Sequence, residues 1–206
     1  MRPPRMRVAF FGRSLAGFTL ANAMESAGHE VQMLSDPAEL SSFETLIIAV
    51  GDSRLEATVE LLEPHVHRGL IVFHTCLSRG VQVLDPLETR GCVVAALAPF
   101  TLKRWAVTTL DELGETVVEL NIAEFRAETV ALSDAERAPF AARAYYAEML
   151  RRLHISAAVD AHFLSPSEEP PLVGEDMDTE EIIAAYRGAT DPGLRRSYVE
   201  VARRLG

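Results

Sequence analysis

The chain has 206 residues, 48% of them hydrophobic and 24% charged, enough for a sizeable core in one domain or a domain and a half and against wholesale disorder. A formal net charge of -10 opposes a phosphate backbone, and no apolar run approaches the ~20 residues needed to span a bilayer. Neither nucleic acid nor a membrane is therefore expected as a partner, and with only Cys76 and Cys92 to offer no disulfide framework, the expected compartment is the cytoplasm.

Met1 to Arg7 is basic and precedes apolar residues, as in a signal peptide, but Arg13 interrupts the apolar stretch and a strand, turn and helix explain it better. Val8 to Phe11 is continuous and apolar, the pattern of a parallel strand buried on both faces. Gly12-Arg13-Ser14-Leu15-Ala16-Gly17 follows as a tight turn, and a helix should run from Leu15 to Ala27 and stop at Gly28. Glu30 to Leu34 reads as the second strand, ended by Ser35-Asp36-Pro37, and Thr45 to Val50 as the third. Ser53 and Glu56 have the spacing of a capping box for a helix reaching Leu62, which Glu63-Pro64 ends. Leu70 to Thr75 and Val93 to Leu97 read as the fourth and fifth strands, with a partly helical stretch between Arg79 and Arg90.

Trp105 to Thr109 reads as a sixth strand, Asp111 to Phe125 as a helix and Glu128 to Leu132 as a seventh strand. Strands alternating with helices imply an α/β fold, a doubly wound, mostly parallel Rossmann-type sheet of six to seven strands. After Ser133 the pattern is helical only, giving a sheet domain over 1–132 and a short helical C-terminal region over 133–206. Ser133 and Glu136 form a second capping-box pattern, Pro139 marks a kink or fresh start, and Ala141 to His154 should be helical. Ser165 to Asp178 reads as a mobile loop. Thr179 to Tyr186 follows as a helix, and Asp191 with Pro192 starts a last helix to Arg204. The Ala141 helix is apolar on too many sides for a surface element, which points to a homodimer formed through the C-terminal helices.

In a dinucleotide-binding turn the first glycine makes the bend, the second admits the pyrophosphate and the third lets helix and strand pack closely. Gly12 and Gly17 take the first and third places, and Ser14 takes the second. Gly12, Arg13, Ser14, Leu15 and Gly17 are the expected pyrophosphate contacts. The Ser14 hydroxyl either donates to phosphate or obstructs it. Asp36, 19 residues after Gly17, suits the acid that accepts hydrogen bonds from an adenosine ribose, which favours NAD over NADP, or it simply begins a turn.

Gly51, Asp52 and Ser53 at the end of the third strand should meet the far half of the cofactor, since ligands bind at the carboxyl ends of the strands. His74 and Thr75 end the fourth strand, where His74 could transfer a proton or serve only as a hydrogen-bonded structural residue. Lys103 is the only lysine among twenty basic residues, so any Schiff base would form there, and it lies near enough to the rim to meet an anionic ligand. That arginine bias, with abundant alanine, reads as a GC-rich bacterial genome. Cys76 reads as a buried inert thiol, His65 and His67 lack further ligands at metal spacing, and Tyr145 and Tyr146 read as packing or interface residues.

Gly12 to Gly17 with Leu20-Ala21 and Ala27-Gly28-His29, then Ile47 to Asp52, His74-Thr75-Cys76 and Ala98-Pro99-Phe100, resemble the Rossmann-like oxidoreductases grouped with 6-phosphogluconate dehydrogenase and pyrroline-5-carboxylate reductase, over roughly residues 7 to 150. The resemblance implies an NAD(P)-dependent dehydrogenase acting on a small molecule, with His74 and Lys103 as the catalytic side chains. It is closest to a bacterial branch that reads His-Thr-Ser-Gly after the fourth strand and His-Pro after the fifth. Here Cys76-Leu77 and Ala98 replace those residues, Phe140 replaces another polar one, and the helical remainder is shorter than the group's usual substrate domain. These departures favour a rival expectation, a non-catalytic nucleotide-sensing or assembly module. A methyltransferase using S-adenosylmethionine shares the turn and the acid but fits the strand pattern less well.

Overall fold

The computed structural model describes residues 5–152 and 179–205; the expected loop from Ser165 to Asp178 and the helix end at His154 lie outside them. Seven strands form one sheet in the order β2-β1-β3-β4-β5-β6-β7. They are β1 (Arg7–Gly12), β2 (Glu30–Met33), β3 (Thr45–Ala49), β4 (Ile71–His74), β5 (Val93–Pro99), β6 (Arg104–Thr109) and β7 (Glu128–Ala131). The first five are mutually parallel. Alternation along them divides the core: Val8, Phe10, Ile47 and Ala49 face α1 (Leu15–Ala27) and α4 (Glu112–Phe125), while Ala9, Leu46 and Ile48 face α2 (Leu55–Leu62) and α3 (Asp85–Thr89). The architecture is Rossmann-like, as the sequence pattern implies.

One departure lies at the end of the sheet. β6 runs antiparallel to β5, and β7 is parallel to β6. Only Phe100 to Lys103 separate β5 from β6, too few for the crossover of about a dozen residues that a parallel partner needs, so the chain returns as a hairpin. The amides of Phe100 and Thr101 both donate to the Arg104 carbonyl, at 3.1 and 3.2 Å, and close it.

Most helix ends follow their signals. Gly28 caps α1 in the left-handed conformation, with φ of 100°. Asp111 Oδ1 accepts from the Gly114 amide at 2.7 Å to start α4, and Asp191 Oδ1 accepts from Leu194 at the start of α7 (Pro192–Leu205). The Ser53–Glu56 box does not form: Asp52 to Arg54 make a 3-10 turn, the Arg54 amide donating to the Gly51 carbonyl, and α2 begins without a side-chain cap. The second box forms in part, because Glu136 Oε2 accepts from the Ser133 amide at 2.8 Å and also from the Ser133 hydroxyl, which is thereby turned away from the helix amides. Pro139 starts no new helix. It lies inside α5 (Asp134–Arg152), where its missing N–H removes one bond of the ladder without ending the helix.

α5 joins the two halves of the chain. Phe140, Ala141 and Ala144 pack with Leu77, Ala98, Phe100 and Ala106 of the sheet side, and Tyr145, Met149 and Leu150 pack with Ala185 of α6 (Thr179–Arg187) and Tyr198 and Val201 of α7. The apolar excess from which a homodimer is expected is thus covered within the chain on these faces. Among the described residues no helix is long and apolar enough to cross a membrane.

Candidate functional site

The crevice opens where the strand order turns outward on either side of β1, at the carboxyl ends of β1, β3 and β4. The β1–α1 turn is shaped by one residue of the neighbouring strand. Gly12 has φ of 118°, and a Cβ there would overlap the Ala49 carbonyl; a Cβ on Gly17 would overlap the Ala49 side chain. Both outer glycines therefore serve the close approach of turn and helix to β3, as the pattern requires. The Ala49 carbonyl also accepts from the amides of Arg13 (2.8 Å) and Ser14 (3.0 Å).

Ser14 is the N-cap of α1. Its Oγ accepts from the Gly17 amide at 3.1 Å and lies 3.2 Å from Thr75 Oγ1. The hydroxyl left undecided between phosphate donor and obstruction is engaged by its own helix and by β4's extension. Asp36 likewise works locally: it is exposed and caps a 3-10 turn, with Oδ1 accepting from the Ala38 amide at 2.9 Å. That is the turn-initiating geometry, with its second oxygen open for another partner in the hydrogen bonds of the described residues.

A cavity of about 200 Å³ lies beyond the turn, lined by Arg13, Ser14, Gly51, Asp52, Arg54, Thr75, Cys76, Tyr145 and Glu181, with Ala16, Val50, Leu77 and Pro99 completing its wall. Asp52 accepts a hydrogen bond from the Ser78 hydroxyl, and its amide donates to Glu181 Oε1 at 3.1 Å. Tyr145 donates its hydroxyl to Glu181 Oε2 at 3.2 Å. Burial, with the nearby charges of Glu181 and Asp52, pushes the Tyr145 phenol well up, so it stays protonated and acts as a donor. Cys76 is buried, its thiol donating to the Val50 carbonyl at 3.1 Å. Burial and then Asp52 push that thiol up, the opposite of an activated thiolate. Cys76 and Cys92 are both free.

Behind the cavity, the fully buried Arg137 donates to the Cys76 carbonyl at 2.9 Å and to Thr108 Oγ1 at 3.1 Å. Burial lowers its pKa to about 10, with Cys76, Asp52 and Asp134 pulling the other way, so it remains a cation at neutral pH. His74 is also fully buried and does not line the cavity. Its Nε2 lies 3.1 Å from the Gly80 carbonyl, which can only accept, so the proton is on Nε2. Burial and then Arg137 lower its pKa to about 3, holding the ring neutral. The arrangement is that of the hydrogen-bonded structural histidine, one of the two readings the sequence leaves open.

Lys103 is exposed in the β5–β6 hairpin, its amide donating to Thr101 Oγ1 at 3.3 Å, and it too lies outside the cavity lining. Ser53 is exposed in the 3-10 turn and not part of that lining. The structure thus brings Arg13, Ser14, Gly51 and Asp52 together and leaves Asp36, Ser53, His74 and Lys103 apart from them. Sequence reasoning gives no role to the lining residues Arg54 and Glu181 or to Ser78 and Arg137, which contact that lining, and it reads the lining residue Tyr145 as packing or interface only. Glu181 stands in the first turn of α6, where an acidic residue reads as a complement to the helix dipole. Nothing in its local pattern marks the contact it makes.

Fold and crevice together define a Rossmann-like protein, and a Rossmann-like domain model matches residues 36–99. No curated protein matches the sequence. Among solved structures, the chain is similar to 3-hydroxyisobutyrate dehydrogenase of Mycobacterium tuberculosis with L-serine, at 12% identity and a TM-score of 0.63 over 98% of this chain and 94% of that one. It is similar to prephenate dehydrogenase of A. aeolicus in complex with hydroxyphenyl propionate and NAD+, at 11% identity and a TM-score of 0.57 over 100% and 86%. It is also similar to the Plasmodium falciparum pyrroline carboxylate reductase with NADP bound, at 11% identity and a TM-score of 0.55 over 97% of this chain and 76% of that one. At such identities the likeness is one of fold.

Proposed function

We propose that the chain is a dehydrogenase-like protein that binds a nicotinamide dinucleotide, NAD in preference to NADP, at the crevice between β1 and β3. The observation that carries this reading is the β1–α1 turn, where Gly12 and Gly17 both yield to Ala49 and bring the N-terminus of α1 to the crevice mouth. In this reading the pyrophosphate lies along Gly12 to Gly17 beside Arg13 and Leu15, the open side of Asp36 accepts from the adenosine ribose, and Gly51, Asp52 and Ser53 meet the far half. The dinucleotide would supply the hydride chemistry. The protein's residues position it: Tyr145 holds Glu181 at the crevice wall, where Thr75 presents a hydroxyl beside Ser14. His74 acts from behind by holding the Gly80 turn, and Lys103 attracts an anionic small-molecule substrate towards the rim.

Calorimetric titration with NADH, NADPH and S-adenosylmethionine tests the reading. NADH binding tighter than NADPH is the expected result. Binding of none at millimolar concentration rejects it, and a preference for NADPH refutes the role given to Asp36. The second reading, a module that binds the nucleotide without turning it over, is favoured by the neutral, enclosed His74 and by the small cavity. It predicts nucleotide binding that leaves the nicotinamide absorbance unchanged when NADH is offered small keto acids and when NAD+ is offered small hydroxy acids.

A further inference from the structure

The crevice is smaller than the ligand proposed for it. Its volume of about 200 Å³ falls below the roughly 300 to 1,000 Å³ usual for small-molecule sites. Glu181 is part of its wall. It reaches from α6 across to the loop after β3, its Oε1 on the Asp52 amide and its Oε2 on the Tyr145 hydroxyl. A Cβ on Gly51 would overlap Oε1, so the carboxylate lies directly against the backbone of that loop.

We propose that Glu181 is an internal competitor for the cofactor: its carboxylate occupies the Gly51–Asp52 backbone in the resting chain and must withdraw for a dinucleotide to enter. The inference rests on the crevice being a dinucleotide site. Two arguments support the competition. The Asp52 amide is a donor that one acceptor fills, and Glu181 fills it. Glu181 and Asp52 also set two carboxylates in one small cavity, which raises the electrostatic cost of bringing phosphate anions beside them while they stay in place. The two contacts join Glu181 to the β3 loop and to α5, so breaking them separates no strand of the sheet.

The test compares the full-length wild type with Glu181→Ala, Glu181→Gln, which keeps the shape, and Glu180→Ala, an exposed neighbour on the same turn. NADH affinity is measured by calorimetry and exchange of the Asp52 amide by hydrogen–deuterium exchange. Glu181→Ala should bind NADH about tenfold tighter than wild type, as expected for loss of one charge-assisted contact. Glu181→Gln should lie between, Glu180→Ala should match wild type, and the Asp52 amide should exchange faster in Glu181→Ala and be protected again by NADH. Equal or weaker NADH binding by Glu181→Ala, with the Asp52 amide opened, overturns the competition. An Asp52 amide equally protected in wild type and Glu181→Ala overturns the contact on which it rests. No NADH binding by any of the proteins, with the Asp52 amide opened in the variant, overturns the dinucleotide reading and the competition with it.

Discussion

The turn after β1 and the turn after β3 share one crevice wall but are held in different ways. Around the first, Ser14 caps the amide three residues ahead of it, and Ala49 of the adjacent strand receives the Arg13 and Ser14 amides. Around the second, the 3-10 turn lacks a side-chain cap of its own, the Asp52 carboxylate accepts from Ser78, and the Asp52 amide is held by Glu181, which is 129 residues away along the chain. The first turn is a product of the strand–turn–helix unit and should keep its shape whatever the C-terminal helices do. The second depends on those helices, so its conformation can report on what fills the crevice.

The largest expected effect falls on the first turn. Gly17→Val places side-chain atoms inside Ala49 and should cost about 3 kcal/mol in urea unfolding, the upper range for overpacking a rigid contact. A loss under about 1 kcal/mol would mean that α1 is free to move away from β3, and the contrast between the turns would fail.

Next is His74, whose folded pKa of about 3 lies below its ordinary 6.5. A depressed value means the unfolded chain takes up a proton that the native chain refuses, so stability is intact above about pH 6.5 and declines as pH falls toward 3. Between pH 6.5 and 5 the decline from this group approaches about 2 kcal/mol, at roughly 1.4 kcal/mol per pH unit once the unfolded group is mostly protonated. Denaturant midpoints over that range should lose this slope in His74→Asn. An unchanged slope in the variant would place the ring in contact with the crevice solvent.

The smallest effect compares the two turns directly. Ser14→Ala removes the α1 cap and should cost about 1 kcal/mol without speeding exchange of the Asp52 amide. Tyr145→Phe should cost no more than about 1 kcal/mol and should speed that exchange, because it loosens Glu181. Equal responses of the Asp52 amide to the two substitutions would show that the turns are coupled.

The same contrast explains what could be read from the chain alone. The limits of α1, the glycine that caps it, the caps of α4 and α7 and the places of all seven strands follow from contacts within a few residues, where composition and spacing carry the information. The reversal at β6 was open to reading in principle, since Phe100 to Lys103 are too few for a crossover. Alternation of strand and helix elsewhere gives a mostly parallel sheet without marking which strand reverses. The cavity wall was not legible, because Arg137 and Glu181 meet it across 61 and 129 positions and neither carries a motif. Ser14 is an intermediate case. Its place in the turn was plain, but its use depended on the Gly17 amide and Thr75 both being within reach.

α5 has a further consequence as a ruler. Asp134 at its start accepts from the amides of Val81 and Gln82, at 2.8 and 3.1 Å, and Tyr145 further along meets Glu181. The interval between them is close to three turns at about 3.6 residues per turn, so both residues project from the same side of the helix. One inserted residue between them would swing Tyr145 about 100° around the axis, carrying its hydroxyl away from Glu181 while Asp134 stayed anchored. The phase of this helix, set by the number of residues in it, decides whether the crevice has its far wall.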